Sequence, residues 1–435
     1  MPSKMPPPPP PAQPASLRQG PRPLPLHLAA ASFTWTSSLA ALPLLRNGLL
    51  ALRPELAAAG SQLTAELVAA EPEALAGAVA REAQQRFASF LDAIATYRRH
   101  PFRRSATMVP VIWQEGTTRL LDYGGNGPPV LVVPSLINRA YILDLLPERS
   151  FMRFLAERGF RPFLVDWQAP GEAERHFDLA DYVLGRLAGA LDAVIEVCGP
   201  RSSPGVILVG YCMGGTLALG LAQHRASDLA GLALLATPWD FHAERVEQAE
   251  LLAALLPGYE PVLGVLGELP IDMIQALFAA LDPSLVLRKF LGFAGLDPAS
   301  EKARQFVALE DWLNDGVPLA ASVARECLGQ WYGANATARG AWRLRGHAVL
   351  PQRIKTPSLA VIPDQDRIVP PGSALALAEV LPDCRVLRAP TGHIGMMSGG
   401  RAEAAVWRPF AEWALSCTAA SRPIESKLKA KRRSS

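Results

Sequence analysis

Short apolar runs and longer stretches of mixed polarity alternate through the middle of the chain. Several of the runs are rich in β-branched residues and are bounded by proline or glycine, which is typical of strands buried on both faces of a sheet. Helix-compatible segments lie between them, for example at 150–159 and 181–198. The alternation predicts a parallel, doubly wound sheet. The runs are residues 129–134, 161–167, 206–209, 231–236, 358–363 and 385–387.

The regions that flank this alternation have other patterns. A strand-like segment at 108–113 and a hairpin-type turn at 123–127 precede the first buried run. Between about residues 238 and 345 the chain offers apolar helical stretches that prolines interrupt. Helices inserted at this point of an α/β domain would lie over the active site, so the segment is predicted to form a cap.

The first hundred residues are predicted to contain a disordered leader and several helices. Prolines are frequent in residues 1–25 and favour extended conformations without backbone donors. A helix is expected at 61–70, and a longer amphipathic helix carries the apolar stripe Phe87, Phe90, Leu91, Ile94 and Tyr97. The predicted organisation is a leader at 1–25, a helical N-terminal extension at 26–106, a core from 107–237 and 346–415, a helical cap at 238–345, and a basic tail at 416–435.

Composition narrows the class of protein. The chain has 435 residues, of which 49% are hydrophobic, so it can bury a sizeable core. Its most apolar stretch, residues 26–45, contains a histidine and five Ser or Thr residues, and we expect an amphipathic or core-docked segment, not a membrane span. The N-terminus lacks the apolar region of a signal peptide, which predicts a cytoplasmic protein.

Charge and cysteine content exclude other classes. A net charge of +3 is too small to indicate a nucleic-acid-binding protein, although Lys and Arg cluster between residues 427 and 433. That cluster is interpreted as a solvated tail or as a contact for an anionic surface. The five cysteines are scattered, with no C-x-x-C pair, so neither a disulfide framework nor a zinc site is expected, and no cofactor is predicted.

One stretch, residues 206–216, predicts a catalytic cysteine. An apolar strand leads into Gly210-Tyr211-Cys212-Met213-Gly214, and a helix-compatible segment follows. Strand, sharp turn and helix are the context of the G-x-S-x-G nucleophile elbow of α/β-hydrolases, here with cysteine in place of serine. Gly210 and Gly214 would let strand and helix approach without Cβ clashes. The predicted fold is therefore an α/β-hydrolase fold with a helical cap insertion and an N-terminal helical extension.

A base and an acid follow the nucleophile in the order that this fold requires. His393 lies in a loop between the last strand and the last helix, where a base reaches the elbow. Asp366 follows the strand at 358–363, and the next residues, Ile-Val-Pro, can fix the direction of its carboxylate. Alternatives for the acid are Asp364 and Asp240. The other downstream histidines, interpreted as ordinary surface or packed residues, are His224, His242 and His347.

A Cys-His-Asp set suits acyl transfer from a thioester, because a thiolate replaces a leaving group of similar basicity. His393 would take the proton of Cys212, and Asp366 would hold the correct imidazole tautomer. The oxyanion would be bound by the backbone N–H of Met213 and by one from the loop around Ser135 and Leu136.

Five motifs of the chain belong together. They are residues 210–215, the 137–145 stretch with Pro147 and Ser150, Val165-Asp166-Trp167, Asp366-Arg367-Ile368-Val369-Pro370, and Gly392-His393-Ile394-Gly395. In combination they resemble the poly(3-hydroxyalkanoate) synthase family, in particular the catalytic subunit of its two-subunit class. The resemblance implies that Cys212, Asp366 and His393 are nucleophile, acid and base. It further implies a 3-hydroxyacyl-CoA substrate, release of CoA and transfer of the acyl group to a growing polyester, with a second synthase subunit or a homodimer as partner and the polyester granule surface as location.

The chain departs from that family at Arg367, where synthases commonly carry histidine, and much of the cap is only loosely similar. Two other functions stay open. A cysteine-elbow hydrolase, either a thioesterase or a polyester depolymerase, would need the same three residues, with water replacing the chain hydroxyl. A catalytically silent protein could instead bind polyester granules through its apolar cap or its N-terminal helices.

Overall fold

The computed structural model describes residues 18–105, 108–199 and 205–420. The predicted leader lies mostly outside these residues, and so does most of the predicted basic tail. The described residues form two compact units, one from 18–102 and 284–307, the other from 103–283 and 308–420. The predicted cap, 238–345, therefore contributes to both units.

The second unit is built on an eight-stranded sheet. The order of its strands is β1-β2-β4-β3-β5-β6-β7-β8. Strands β3 to β8 run parallel to one another. Strand β2 pairs antiparallel with both β1 and β4. The strands are β1 (Val111–Glu115), β2 (Thr118–Asp122), β3 (Pro129–Val133), β4 (Arg161–Asp166), β5 (Val206–Tyr211), β6 (Leu229–Leu235), β7 (Ser358–Pro363) and β8 (Cys384–Ala389).

The six apolar runs all form strands, as predicted. Every residue of β3, β5, β6 and β7 is buried, which explains why these strands read as continuous apolar runs without alternation. The hairpin prediction was wrong in position. The hairpin joins β1 to β2 through Gly116 and Thr117, whereas residues 123–127 lead from β2 to β3, which are not neighbours in the sheet.

Helices occupy most of the remaining chain. In chain order they are α1 (Leu24–Arg46), α2 (Ala57–Ala69), α3 (Pro72–Arg99), α4 (Phe151–Glu157), α5 (Ala188–Cys198), α6 (Met213–His224), α7 (Val246–Ala254), α8 (Leu256–Leu266), α9 (Ile271–Leu281), α10 (Leu285–Ala294), α11 (Glu301–Asn314), α12 (Ala321–Arg325), α13 (Pro371–Val380), α14 (Gly395–Ser398) and α15 (Arg408–Ala420). π-Helical turns extend α5, α12 and α15 at Asp181–Leu187, Glu326–Gly333 and Glu403–Trp407. Short two- or three-residue strands pair at Asp144–Leu146 with Arg149–Ser150, Glu268–Leu269 with Leu319–Ala320, and Arg343–Leu344 with His347–Ala348.

The first unit has its own aromatic core. Helix α3 contributes Phe90 and Tyr97, which meet Phe290 of α10 edge to face at centroid distances of 6.2 and 5.7 Å. Trp35 of α1 packs against Phe90 at 6.4 Å. The predicted stripe on α3 is confirmed at Phe90, Ile94 and Tyr97, which are buried, but Leu91 is exposed.

Helix α1 is apolar on more than one face. Only three of its residues are buried, His27, Ala31 and Trp35, and the side chain of Phe33 is 77% exposed. Among the described residues it is the one helix long and apolar enough to cross a membrane; α7 and α8, bent by 45°, qualify only when taken together. Helix α1 is thus less amphipathic than the sequence indicated. The expectation that it does not cross a membrane stays a prediction.

The π-helical turn after α12 places a half-buried carboxylate at Glu326. Its Oε1 accepts a hydrogen bond from the backbone N–H of Leu179 at 3.0 Å. Burial raises the pKa of Glu326 to about 7; the negative charges of Asp178 and Asp181 add to this effect, and the hydrogen bond from Leu179 opposes it.

Glu326→Gln is expected to stabilise the protein at pH 8 but not at pH 4.5. Between pH 4.5 and about 7 the unfolded chain loses the Glu326 proton before the folded chain does, so the free energy of unfolding falls as the pH rises through this window. Glutamine keeps the acceptor for Leu179 and removes the charge, which predicts a gain on the order of 2 kcal/mol at pH 8. Thermal unfolding of both proteins at the two pH values measures this, and identical pH profiles would contradict it.

Candidate active site

Cys212 occupies a strained turn between β5 and α6. Its backbone has φ 56° and ψ −130°, a conformation that side-chain-bearing residues rarely adopt. Hydrogen bonds fix it on both sides: Cys212 N–H donates to the carbonyl of Leu235 at 2.9 Å, and the carbonyl of Cys212 accepts from Gly215 N–H at 2.9 Å. The turn lifts the half-buried side chain out of the strand at the carboxyl end of the sheet.

The two glycines that flank the elbow have the predicted steric role. A Cβ atom on Gly210 would lie 2.3 Å from the Cα of Gly215, and one on Gly214 would lie 2.1 Å from the carbonyl oxygen of Val133. Neither distance allows a side chain. The prediction that strand and helix approach through these positions is confirmed, and the start of α6 lies against the chain that follows β3.

Asp366 and His393 meet at the carboxyl ends of β7 and β8. The Nδ1 of His393 lies 2.7 Å from Oδ2 of Asp366. The other carboxylate oxygen, Oδ1, accepts from the N–H groups of Ile368 and Val369 at 2.8 and 2.9 Å. The residues after Asp366 therefore fix its carboxylate as the sequence predicted, and His393 with Nδ1 as donor leaves Nε2 as its second functional nitrogen.

His393 has a strongly perturbed protonation equilibrium. Burial by itself favours the neutral ring, but the negative charges of Cys212 and Asp366, with hydrogen bonds to both side chains, outweigh it and raise the pKa to about 10. The imidazolium form of His393 is therefore favoured at neutral pH. The structure brings the three predicted residues together, and their catalytic roles stay a prediction.

The alternative acids have other partners. Asp364 pairs with Arg388 at 2.7 Å and forms an ion pair at the surface. Asp240 accepts hydrogen bonds at Oδ1 from the N–H of His242 and from the side chain of Asn335, at 2.9 and 2.8 Å.

The three other downstream histidines also have neighbours of their own. The ring of His242 lies 2.7 Å from the carbonyl oxygen of Tyr332. His224 and His347 face each other edge to face with ring centroids 6.1 Å apart.

Tyr211 supports His393 in a way that the sequence analysis missed. Its ring stacks on the imidazole at a centroid distance of 5.3 Å, and its hydroxyl donates to the backbone carbonyl of His393 at 3.1 Å. Burial, with the charges of Cys212 and Asp366, raises the pKa of Tyr211 well above 10, so the hydroxyl stays a donor. A tyrosine between glycine and the nucleophile was the available signal, but only the fold shows that it reaches a residue so distant in sequence.

Tyr211→Phe is expected to lower kcat of the thioester reaction about three- to tenfold with little change in KM, because it removes one hydrogen bond that holds the histidine loop. Tyr182→Phe, which removes the hydroxyl of another buried tyrosine, serves as the control and is expected to leave kcat unchanged. Steady-state kinetics of the two variants measure the difference. Equal kcat values would contradict a positioning role for Tyr211.

The predicted oxyanion donors lie around the elbow. Met213 begins α6, and the first N–H groups of a helix have no intrahelical acceptor. The loop after β3 approaches from the other side, and there the N–H of Ile137 donates to Oγ of Ser135 at 3.2 Å. The assignment of the donors Met213, Ser135 and Leu136 remains a prediction.

A cavity of about 150 Å³ opens beside Cys212. Cys212 and Met213 contribute to its wall; His393 and Asp366 do not line it. Most of the wall is apolar and comes from α7, α9 and the π-helical turn at Glu326–Gly333, including Ile274, Phe278 and Trp331. Within the described part of the chain, no group of three or more His, Cys, Asp or Glu residues is placed to hold a metal ion.

The comparison with protein families identifies one domain. Residues 128–263 match the model of the α/β-hydrolase fold. This stretch includes β3 to β6, the elbow and the first cap helices. The predicted fold class is confirmed by this match and by the order of strands in the sheet.

Curated relatives match about two thirds of the chain. A protein from Allochromatium vinosum, named poly(3-hydroxyalkanoate) polymerase subunit PhaC, is 30% identical over 290 residues, which are 66% of this chain and 80% of that protein. Proteins of the same name from Haloferax mediterranei and Haloarcula marismortui are 30% and 29% identical, over 70% of this chain in both cases. The chain spans 63% and 66% of the length of these two relatives.

Solved structures with a similar backbone have low sequence identity. An esterase from Thermogutta terrifontis is 20% identical, with a TM-score of 0.42 over 72% of this chain and 100% of that one. An esterase from Exiguobacterium antarcticum is 18% identical, with a TM-score of 0.42 over 71% of this chain and 98% of that one.

Proposed function

Because the chain belongs to the poly(3-hydroxyalkanoate) polymerase family, as its motifs predicted, we propose that it transfers 3-hydroxyacyl groups from CoA thioesters to a growing polyester through a cysteine acyl-enzyme. The observation that carries the proposal is the position of Cys212. It lies on a strained elbow, faces an apolar cavity, and interacts with a His393 that is itself bonded to Asp366. No cofactor enters the proposed reaction, and CoA is a product.

Acylation begins with the Cys212 thiolate and the His393 imidazolium. The thiolate attacks the thioester carbonyl carbon and forms the new C–S bond, while the negative charge moves to the carbonyl oxygen. Backbone N–H groups of Met213 and of the loop at Ser135 and Leu136 stabilise this oxyanion. The intermediate collapses, the bond to the CoA sulfur breaks, and His393 gives its proton to the departing thiolate. Asp366 keeps Nδ1 protonated throughout.

Deacylation completes the cycle with an alcohol as nucleophile. Neutral His393 removes the proton from the hydroxyl of a 3-hydroxyacyl chain, whose oxygen attacks the acyl carbon on Cys212. An ester bond forms, the C–S bond breaks, and the thiolate and imidazolium are restored. Water in place of the hydroxyl would give a hydrolase with the same residues. The apolar wall of the cavity favours the alcohol, because it excludes water from the acyl-enzyme.

Partners and location extend the proposal. Several relatives are named as subunits of a polymerase, so we propose that a second synthase subunit, or a second copy of the chain, takes part. We also propose a cytoplasmic location at the polyester granule surface, and helix α1 supports contact with that surface. Its exposed Thr34, Thr36 and Ser37 hydroxyls donate to carbonyls of the same helix, which reduces the polarity of a largely apolar surface.

The test of the function supplies purified protein with 3-hydroxybutyryl-CoA and follows both free CoA and chloroform-soluble polyester. Stoichiometric conversion of released CoA into polymer is expected. Release of CoA with 3-hydroxybutyrate as the sole acyl product would replace the polymerase by the hydrolase. Absence of CoA release, with and without added partner subunit, would overturn acyl transfer.

A further inference from the structure

The cavity beside Cys212 contains a single positive charge. Among the described residues that line it, Arg245 is the one cation, and the charged residues Asp240 and Glu244 are its neighbours in sequence. The other lining residues are mainly apolar. The guanidinium of Arg245 is half-buried, so an anionic group in the cavity would interact with it more strongly than with a fully exposed arginine.

The contacts of Arg245 leave its charge uncompensated. Its Nη1 donates to the backbone carbonyl of Arg367 at 3.2 Å, and this neutral acceptor uses one of five N–H donors. In the described part of the chain Arg245 forms no ion pair, since the nearby carboxylates are engaged elsewhere. Glu244 accepts from the N–H of Gly372 at 2.5 Å, in the first turn of α13.

Two further charged groups of this region also have partners. Asp240 is bonded to His242 and Asn335. The side chain of Arg367 is ion-paired with Asp282 at 2.7 Å, so its own charge is compensated. Arg367 thus has an acidic partner for its side chain, whereas Arg245, which lines the cavity, has none among the described residues.

We infer that Arg245 binds a phosphate group of the CoA portion of the substrate. The inference rests on the proposed function and concerns the same site. An acyl-CoA is apolar at its thioester end and carries a diphosphate and a 3′-phosphate at the other, which matches a cavity with Cys212 in an apolar wall and one cation in its lining. The planar guanidinium, held at one corner by the Arg367 carbonyl, presents its remaining donors in the geometry that phosphate oxygens accept.

The variant Arg245→Gln is expected to raise KM for 3-hydroxybutyryl-CoA roughly 10- to 100-fold, with kcat within about twofold. With the N-acetylcysteamine thioester of the same acid, which has no phosphate, KM should be the same in variant and wild type. Arg245→Lys should recover part of the loss. The dephospho-CoA thioester, which lacks the 3′-phosphate, shows which phosphate is bound. If Arg245→Gln still raises KM for this thioester, Arg245 binds the diphosphate; if KM no longer changes, it binds the 3′-phosphate.

The control is Arg343→Gln, which also removes an arginine that donates to a backbone carbonyl, that of Gly346, but lies outside the cavity. It should leave both KM values unchanged. Equal increases in KM for the two thioesters in Arg245→Gln, or no increase for the CoA thioester, would overturn the inference.

Calorimetric binding of free CoA and of pantetheine separates this inference from the proposed function. If wild-type protein binds CoA more tightly than pantetheine and Arg245→Gln abolishes the difference, Arg245 is a phosphate-binding residue even when no acyl transfer occurs. If CoA and pantetheine bind equally, or the difference survives in the variant, the inference fails whatever the turnover.

Discussion

Replacement of Cys212 by alanine is expected to reduce CoA release from 3-hydroxybutyryl-CoA by about 10⁴-fold or more, because the atom that would attack the thioester is removed. Cys327 provides the matched control, since it lines the same cavity. Burial raises the pKa of the Cys327 thiol, so it stays protonated and unreactive. Cys327→Ala is expected to keep CoA release within about fivefold of wild type.

Mass spectrometry of protein quenched during turnover gives an independent measurement of the same prediction. The mass of one 3-hydroxyacyl group should appear on the peptide that contains Cys212. It should be absent in Cys212→Ala and present in Cys327→Ala. Undiminished CoA release by Cys212→Ala, or an acyl group on another residue, would remove Cys212 from the mechanism.

The second large effect is expected at the acid. Asp366→Asn should lower kcat about 10²- to 10⁴-fold, because the amide cannot compensate an imidazolium and can stabilise the wrong tautomer of His393. The neighbouring carboxylate Asp364 is paired with Arg388 at the surface, so Asp364→Asn should change kcat less than about threefold.

The pH dependence of activity distinguishes loss of the Asp366 carboxylate from unfolding of the variant. Removal of the Asp366 charge lowers the pKa of His393, because that charge is one of the causes that raise it. The alkaline limb of activity should therefore move to lower pH in Asp366→Asn and stay in place in Asp364→Asn. The reverse order of effects in the two variants would assign the acid to Asp364.

The elbow and the grouping of Cys212, Asp366 and His393 could be predicted because their signals are local or follow from chain order. Strand and helix approach each other so closely at Gly210 and Gly214 that a Cβ atom there would lie only 2.3 and 2.1 Å from neighbouring backbone atoms. Asp366 was favoured over Asp364 because of the residues that follow it, and the Ile368 and Val369 N–H groups do bind its carboxylate. Both arguments need only residues close in sequence.

The parts that were missed depend on partners distant in sequence. No local pattern shows that the Tyr211 hydroxyl reaches His393, 182 residues away. Nor does the sequence of α10, inside the predicted cap, show that it packs on α3 through Phe290, Phe90 and Tyr97. The hairpin was misplaced because Gly124, Gly125 and Gly127 are a stronger turn signal than the Gly116-Thr117 pair that makes the turn.

The size of the cavity beside Cys212 limits how much of the proposed polyester the protein can contact near the reacting sulfur. If the proposed polyester forms at Cys212, only its newest units fit in a space of about 150 Å³, and the earlier units extend beyond it. The lining near the reacting sulfur then contacts the same few units in a short chain and in a long one. Molecular mass would be a statistical outcome, set by the ratio of the rate of elongation to the rate of chain termination, and it should respond to substrate concentration instead of having a fixed value.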